Sequence, residues 1–417
     1  MSVAELQAHI AKLSHDIDLQ KEVLRQLEQR KRASQRQINA LRDPLARLPL
    51  ELSSEIFVQC LPQYGYHASP DARTAPMLFL QVCNAWNDIA LSTPKLWTVI
   101  CLPFPSAQIL DVWLQRARNF PSSVRLFKGL DYDVARTLVR FSSQLKHLDL
   151  YEEQLDPLRV IGALPRLETL TIDVASDENG NSNAWNLAEA VQLLNSAPNL
   201  VQCLFCHVTT YFDDDLGARF GEVVLPNLRV LGFGERSVRS LDGEEEILQY
   251  LTLPALNTLF LSLSGYSTTD FYTFLERSSP PLQTLLLGTG CPNFRFIDLE
   301  KCFSLVPSLT YLELYGGNQL QFLDDLFTAL ADHQSHLLPN LHTLNIQHDC
   351  SVIIEPSYRK LLLALSVRRA QLGCAYIENP DPDQFKPSPE VCAGLRQLAE
   401  NGMDLWIGTP EHNFIEV

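Results

Sequence analysis

No stretch of this chain is apolar for long enough to cross a membrane, and Met1-Ser2-Val3-Ala4-Glu5-Leu6-Gln7-Ala8-His9 lacks the basic start and apolar core of a secretory signal. The cytosol or nucleus is the expected compartment. Basic charge is scarce as well: 33 Lys and Arg stand against 49 Asp and Glu, a net charge of -16. That balance argues against a nucleic-acid phosphate track or an anionic membrane surface, both of which call for clustered cations, and favours a basic protein partner. A compact cysteine framework is missing too. The ten cysteines are scattered from Cys60 to Cys392, so in a reducing compartment they are thiols, and most serve as small apolar side chains.

Chemistry is equally thin. There is no Gly-x-Ser-x-Gly, no His-Glu-x-x-His and no phosphate-cradling glycine run. Gly288-Thr289-Gly290 and Gly316-Gly317 follow strand-like runs, where turns are expected. Cys203-Leu204-Phe205-Cys206-His207 does match the spelling of a c-type haem attachment. Residues three apart on a strand point to opposite faces, however, so the two thiols would not share a ligand. No other Cys or His pair has metal-site spacing. The expectation is a protein without catalytic residues, metal or cofactor.

What is present is a globular composition, 46% apolar and 20% charged over 417 residues, with room for more than one domain. Three regions stand out: 1–43, 44–100 and 101–417. The first is free of Gly and Pro over residues 3–42, and Leu6, Ile10, Leu13, Ile17, Gln20, Leu24, Leu27, Lys31, Ser34, Ile38 and Leu41 alternate four and three apart. That is the seam of a coiled-coil helix, weakened at Lys31 and Ser34. The segment carries +3 in a chain of -16, which leaves -19 elsewhere. Self-association and folding back on the acidic remainder are both open to it. Asp43-Pro44 ends the helix.

In the second region, Pro49 suits a first helical turn and Glu51 its positive end, with Leu52, Ile56, Phe57, Cys60 and Leu61 following as an apolar stripe. A second apolar helix is predicted over Met77–Leu91. Some fifty helical residues rarely build a sufficient core alone, so these side chains need a neighbour or a partner.

The third region repeats a short unit. Leu-x-x-Leu-x-Leu, or a close variant, begins at Leu145, Leu167, Leu200, Leu228, Leu256, Leu282, Leu309 and Leu341, and six of the eight carry Pro two residues earlier. Each unit predicts a short strand, with amphipathic helices between at Ala184–Leu194, Asp270–Glu276, Phe322–Leu330 and Tyr358–Leu365. Past a Pro-rich segment at 379–389, Glu390–Asn401 and Leu405–Ile407 predict a closing helix and strand. The fold class is α/β: a long coiled-coil helix, a small all-α module, then an irregular leucine-rich-repeat-like solenoid with parallel strands inside and helices outside. Outward strand residues, among them Phe260, Leu286, Tyr311, Glu313 and Tyr315, should line a wall that recognises a target protein. The acidic runs Asp213–Asp215 and Glu244–Glu246 read as loops, either solvated or steering a basic partner.

Leu48-Pro49-Leu50-Glu51, Ile56-Phe57, Val82-Cys83-Asn84-Ala85-Trp86 and Leu96-Trp97, in that order, resemble an F-box. The resemblance implies docking on the Skp-type adaptor of a cullin-RING ubiquitin ligase. Leu48, Pro49, Ile56, Phe57, Leu61, Val82 and Trp86 occupy the matching positions, some facing the adaptor and some holding the helices together. The connection at 62–76, with three prolines and Gly65, is longer than is usual in that family.

Overall fold

The computed structural model describes residues 3–61, 70–127, 130–152, 156–174, 184–206, 209–211, 221–233, 244–262, 268–288, 295–316, 320–332, 334, 336–348, 353–378, 386–409 and 411–415. Asp213–Asp215, His207 and residues 62–69 and 379–385 lie outside them. The chain divides into two compact units, Met1–Cys101 with Val112–Phe120, and Leu102–Asp111 with Pro121–Val417.

The first unit opens with α1 (Val3–Arg42), a single helix of 40 residues. It stops where Asp43 turns its carboxylate back on the Leu45 N–H at 2.9 Å. Next comes α2 (Leu50–Gln59), and Pro49, at φ -51° and ψ 145°, is the residue just outside it. The expected position inside the first turn is thus off by one. The helix predicted over Met77–Leu91 is two helices, α3 (Phe79–Val82) and α4 (Asn84–Ser92). Cys83 between them is extended, at φ -160° and ψ 170°, which no α-helix accommodates.

The aromatic residues make this unit's core. Phe57 stacks on Phe79 at 4.2 Å between centroids, and Trp86 lies against both at 5.1 and 6.0 Å. Trp97, fully buried, donates from Nε1 to the Ala90 carbonyl at 3.0 Å. β1 (Val99–Leu102) and α5 (Ala107–Ala117) follow. Within this unit Trp113 packs edge-on against Trp97 at 4.9 Å, and the Arg116 guanidinium sits 4.4 Å from the same ring. Burial there pulls the Arg116 pKa down, and the indole face supplies part of the solvation the guanidinium has lost.

In the second unit strand and helix alternate. The elements are β2 (Ser122–Phe127), α6 (Tyr132–Arg140), β3 (Leu145–Glu152), β4 (Thr169–Val174), β5 (Ala184–Asn186), α7 (Leu187–Ser196), β6 (Gln202–Cys206), β7 (Thr209–Tyr211), β8 (Val223–Val224) and β9 (Val230–Phe233). Then come β10 (Leu251–Thr252), β11 (Thr258–Ser262), α8 (Thr268–Ser278), β12 (Thr284–Gly288), α9 (Phe296–Ser304), β13 (Tyr311–Gly316) and α10 (Leu320–Ala331). The series closes with β14 (Thr343–His348), α11 (Glu355–Arg368), β15 (Cys374–Glu378), α12 (Pro389–Glu400), β16 (Asp404–Thr409) and β17 (His412–Asn413). The main sheet runs β2-β3-β4-β6-β9-β11-β12-β13-β14-β15-β16-β17, while β5-β7 and β8-β10 form small separate pairs. Strand neighbours in the main sheet are parallel as far as β16. The fold is therefore mixed α/β, with a long first helix and a largely parallel sheet.

The repeated leucines are its core. Leu148, Leu170, Cys203, Leu231, Leu259, Leu285, Leu312 and Leu344 stand in register from strand to strand, each at most 1% exposed. At the strand entrances one backbone bond hands on to the next: Asn257 N–H to Arg229 O, Gln283 N–H to Asn257 O, Thr310 N–H to Gln283 O and His342 N–H to Thr310 O, at 2.8–2.9 Å. Asn side chains that follow the repeat prolines reinforce this step. Asn199 donates to the Pro165 carbonyl at 2.7 Å and Asn340 to the Pro307 carbonyl at 2.9 Å, each reaching back one unit.

Two expectations are adjusted. The predicted helix at Ala184–Leu194 begins only at Leu187, after the short β5, and Glu244–Glu246 open a 3-10 helix, Glu244–Tyr250, where a loop was expected. At the last edge β17 runs antiparallel to β16. The Asn413 amide donates to Leu405 O and accepts from the N–H groups of Ile407 and Ile415, all at 3.2 Å. Among the described residues, no helix is long and apolar enough to cross a membrane.

Candidate functional site

Two faces carry the candidate residues, one in each unit. In the first, α2 is turned the unexpected way. Its buried residues are Ser53 and Phe57, while Leu52 and Ile56 are 55% and 40% exposed. A polar hydroxyl thus points inward, where it donates to the carbonyls of Leu45 at 2.9 Å and Pro49 at 3.3 Å, and two aliphatic side chains point to solvent. Leu50 at the start of α2 and, around it, Leu48, Leu78, Val82 and Leu91 are all exposed as well. Single exposed leucines are ordinary, but seven large aliphatic side chains left out of one small helical unit are not.

The matching positions named from the sequence divide accordingly. Leu48, Pro49, Ile56 and Val82 are exposed, Leu61 and Trp86 are half-buried, and Phe57 is in the core. Phe57 holds the helices together. Leu50, Leu52, Leu78 and Leu91 belong to the same exposed set and were not singled out from the sequence, since helical spacing alone does not tell an inward leucine from an outward one.

In the second unit the residues that alternate with the core ladder form rows across the sheet. Leu204, Gly232, Phe260, Leu286, Glu313 and Asn345 make one row by register, continued by Tyr376 and Trp406. Gly232 matters to its packing. A Cβ there would come within 2.8 Å of Leu204 Cδ2 and 2.9 Å of Phe260 Cδ2, so its absence lets these two side chains approach each other. Phe260, Tyr311 and Tyr315 are half-buried, whereas Leu286 and Glu313 are 1% and 0% exposed. These last two depart from the expected wall-lining role because their neighbours cover them. Tyr311 donates its hydroxyl to Glu313 Oε2 at 2.6 Å, Asn345 donates to the Tyr311 oxygen at 3.3 Å, and Tyr315 reaches the Leu261 carbonyl at 3.4 Å.

No family model matches the chain, and no curated protein does either. Its site chemistry has to come from its own residues. Further along the same face Tyr376 donates to Asp404 Oδ2 at 2.7 Å, a bond that raises the tyrosine's pKa because ionisation would set two negative charges together. At the other end of the sheet Arg125 and Asp149 pair at 2.7 Å, with Tyr151 stacked on Phe127 at 4.6 Å. Burial is the main reason the Tyr151 pKa rises, and it also lowers that of His147.

Cys203 is wholly buried in the ladder, and Cys206 is half-buried on the opposite face of β6. Burial drives the Cys203 pKa upward and takes that of Cys302 up to about 12, which leaves both as neutral thiols that are poor ligands and poor nucleophiles. A shallow groove of about 520 Å³ lies at the strand entrances, lined in part by Lys146, Arg166, Glu168, Asn199 and Arg229. One of its three cations is already engaged, since Lys146 pairs with Glu168 at 3.1 Å.

Proposed function

We propose that this protein is the substrate-recognition subunit of a cullin-RING ubiquitin ligase. Residues 44–100 dock as an F-box on a Skp-type adaptor, and through it on a cullin. The second unit, an irregular leucine-rich-repeat solenoid, holds a target protein in the cytoplasm or nucleus. The chain itself makes and breaks no bond. It works by proximity, since tethering raises the effective concentration of target lysines near the ubiquitin-loaded enzyme.

One observation carries the reading: α2 buries Ser53 and Phe57 and leaves Leu52 and Ile56 in solvent. An aliphatic helix face that the described residues leave exposed is the kind of surface that a partner helix or groove covers. Leu48, Pro49, Ile56 and Val82 would meet the adaptor, with Leu61 and Trp86 partly beneath them. Phe260, Tyr311 and Tyr315 would meet the target, and the net charge of -16 favours a basic one.

Co-purification tests it. The full chain should retain the adaptor, and the pair of substitutions Pro49→Ala and Ile56→Asp should reduce retention at least about tenfold, the equivalent of roughly 1.4 kcal/mol. Circular dichroism should be unchanged, because both positions are exposed. Retention that survives the pair in a folded protein would sink the proposal.

A further inference from the structure

The described side chains of α1 are exposed along its whole length. At 1.5 Å per residue this 40-residue helix is roughly 60 Å long. Its seam residues Val3, Leu6, Ile10, Leu13, Ile17, Leu24, Leu27 and Ile38 are between 43% and 73% exposed. The ion pairs stand to the sides: Lys21 with Asp18 at 3.2 Å, Arg25 with Glu22 at 2.6 Å and Arg32 with Glu28 at 3.8 Å. Hydrogen bonds from Arg25 and Gln26 bring the Glu22 pKa down to about 2, which marks that face as the ionic, solvated one. The apolar stripe and the charged face are therefore separate surfaces of one helix.

The residue types within the stripe choose the partner. Seam positions that are followed by a step of three hold Val3, Ile10, Ile17, Leu24, Lys31 and Ile38, four of the six β-branched. The alternate series holds Leu6, Leu13, Gln20, Leu27, Ser34 and Leu41, four of the six leucine. β-Branched residues at the first kind of position with leucine at the second favour two parallel strands over trimers or tetramers. A parallel, in-register pair also sets Gln20 against Gln20 and Ser34 against Ser34, so polar layers meet polar layers. Lys31 then meets its own copy, a costly layer of the sort that fixes register and strand number. On the flanks, Asp16 of one helix falls beside Lys21 of the other. The equivalent flanking pairs His9 with Ser14, Val23 with Glu28 and Arg30 with Gln35 contain no like charges.

We propose that α1 pairs with α1 of a second copy of this chain as a parallel, in-register two-stranded coiled coil. Covering the seam removes on the order of 800 Å² per helix from water, about what each partner contributes to a stable, specific interface. The proposal stands apart from the adaptor reading, because it uses no residue beyond Arg42.

Sedimentation equilibrium of the full chain at micromolar concentration tests it. The expected mass is twice the 47.1 kDa of the chain, and Ile17→Asp with Leu24→Asp should halve it without changing the fold, since both side chains are exposed. Orientation is read by Ser34→Cys under mild oxidation, with the wild-type chain as control for native thiols such as the exposed Cys60. Parallel, in-register helices bring the two new thiols together and give a covalent dimer. An antiparallel pair holds them tens of ångströms apart, by the rise of 1.5 Å per residue. A wild-type mass of one or three chains, a dimer that survives the double aspartate variant, or the absence of a Ser34→Cys cross-link beyond the control would each overturn the proposal.

Discussion

Phe57 and Ile56 are adjacent in the chain and opposite in consequence. The Phe57 ring is 1% exposed and stacked on Phe79, so Phe57→Ala should leave a cavity and cost about 3–5 kcal/mol. Ile56→Ala and Leu52→Ala remove side chains that are 40% and 55% exposed, and each should cost about 1 kcal/mol or less. Urea unfolding of the three variants checks the contrast. If the two aliphatic substitutions matched Phe57→Ala in cost, they would be core residues and the exposed face an illusion. Glu313 teaches the reverse lesson about what a sequence discloses at this scale. Alternation along β13 places it on the correct face of the sheet, yet alternation is blind to a tyrosine two residues away that closes over it with a 2.6 Å hydrogen bond.

At the scale of elements, the joint between α11 and α12 is held by a carboxylate. Glu355 Oε2 accepts the Ser388 N–H at 2.8 Å, and Arg359 donates to Oε1 at 3.1 Å. The bonds from Ser388 lead in lowering the Glu355 pKa, with a smaller contribution from Arg359. A carboxylate whose pKa is lower in the folded state stabilises that state above its unfolded pKa, about 4.3, and the benefit fades as the pH falls through the folded value. Thermal melts of the wild type and Glu355→Gln should therefore differ by roughly 1–2 °C near neutral pH, the small effect typical of an exposed pair, and converge in acid. A gap that persisted unchanged at low pH would mean that the carboxylate charge is not what holds the joint.

Elements with a strict period were legible in the sequence. The heptads gave α1 to within a residue, and Leu-x-x-Leu-x-Leu gave β3, β4, β6, β9 and β11 to β14. The break at Cys83 was not legible, because apolar spacing carries on through Met77–Leu91 while the backbone does not. Nor were α5, α6 and α9 singled out: α5 and α6 precede the first repeat unit at Leu145, and α9 completes its buried stripe of Phe296, Leu299 and Phe303 with a cysteine, Cys302.

At the scale of the second unit, stability is shared between neighbours, because from β3 to β16 each strand of the main sheet pairs with one on either side. Leu259 is flanked by Leu231 and Leu285 and is fully buried. Leu259→Asp should cost about 4 kcal/mol or more by placing a charge among them. Hydrogen exchange should quicken in β9 and β12 as well as in β11, and protection lost from β11 alone would contradict the shared ladder. A parallel sheet assembled in chain order has no intrinsic last strand, since every addition presents the same row of unmet donors and acceptors as the one before. Here two residues run backwards and one asparagine amide answers three main-chain groups at once. What would otherwise be a template for the next polypeptide, and the next, becomes a blunt end, and the protein is kept from growing into a fibre.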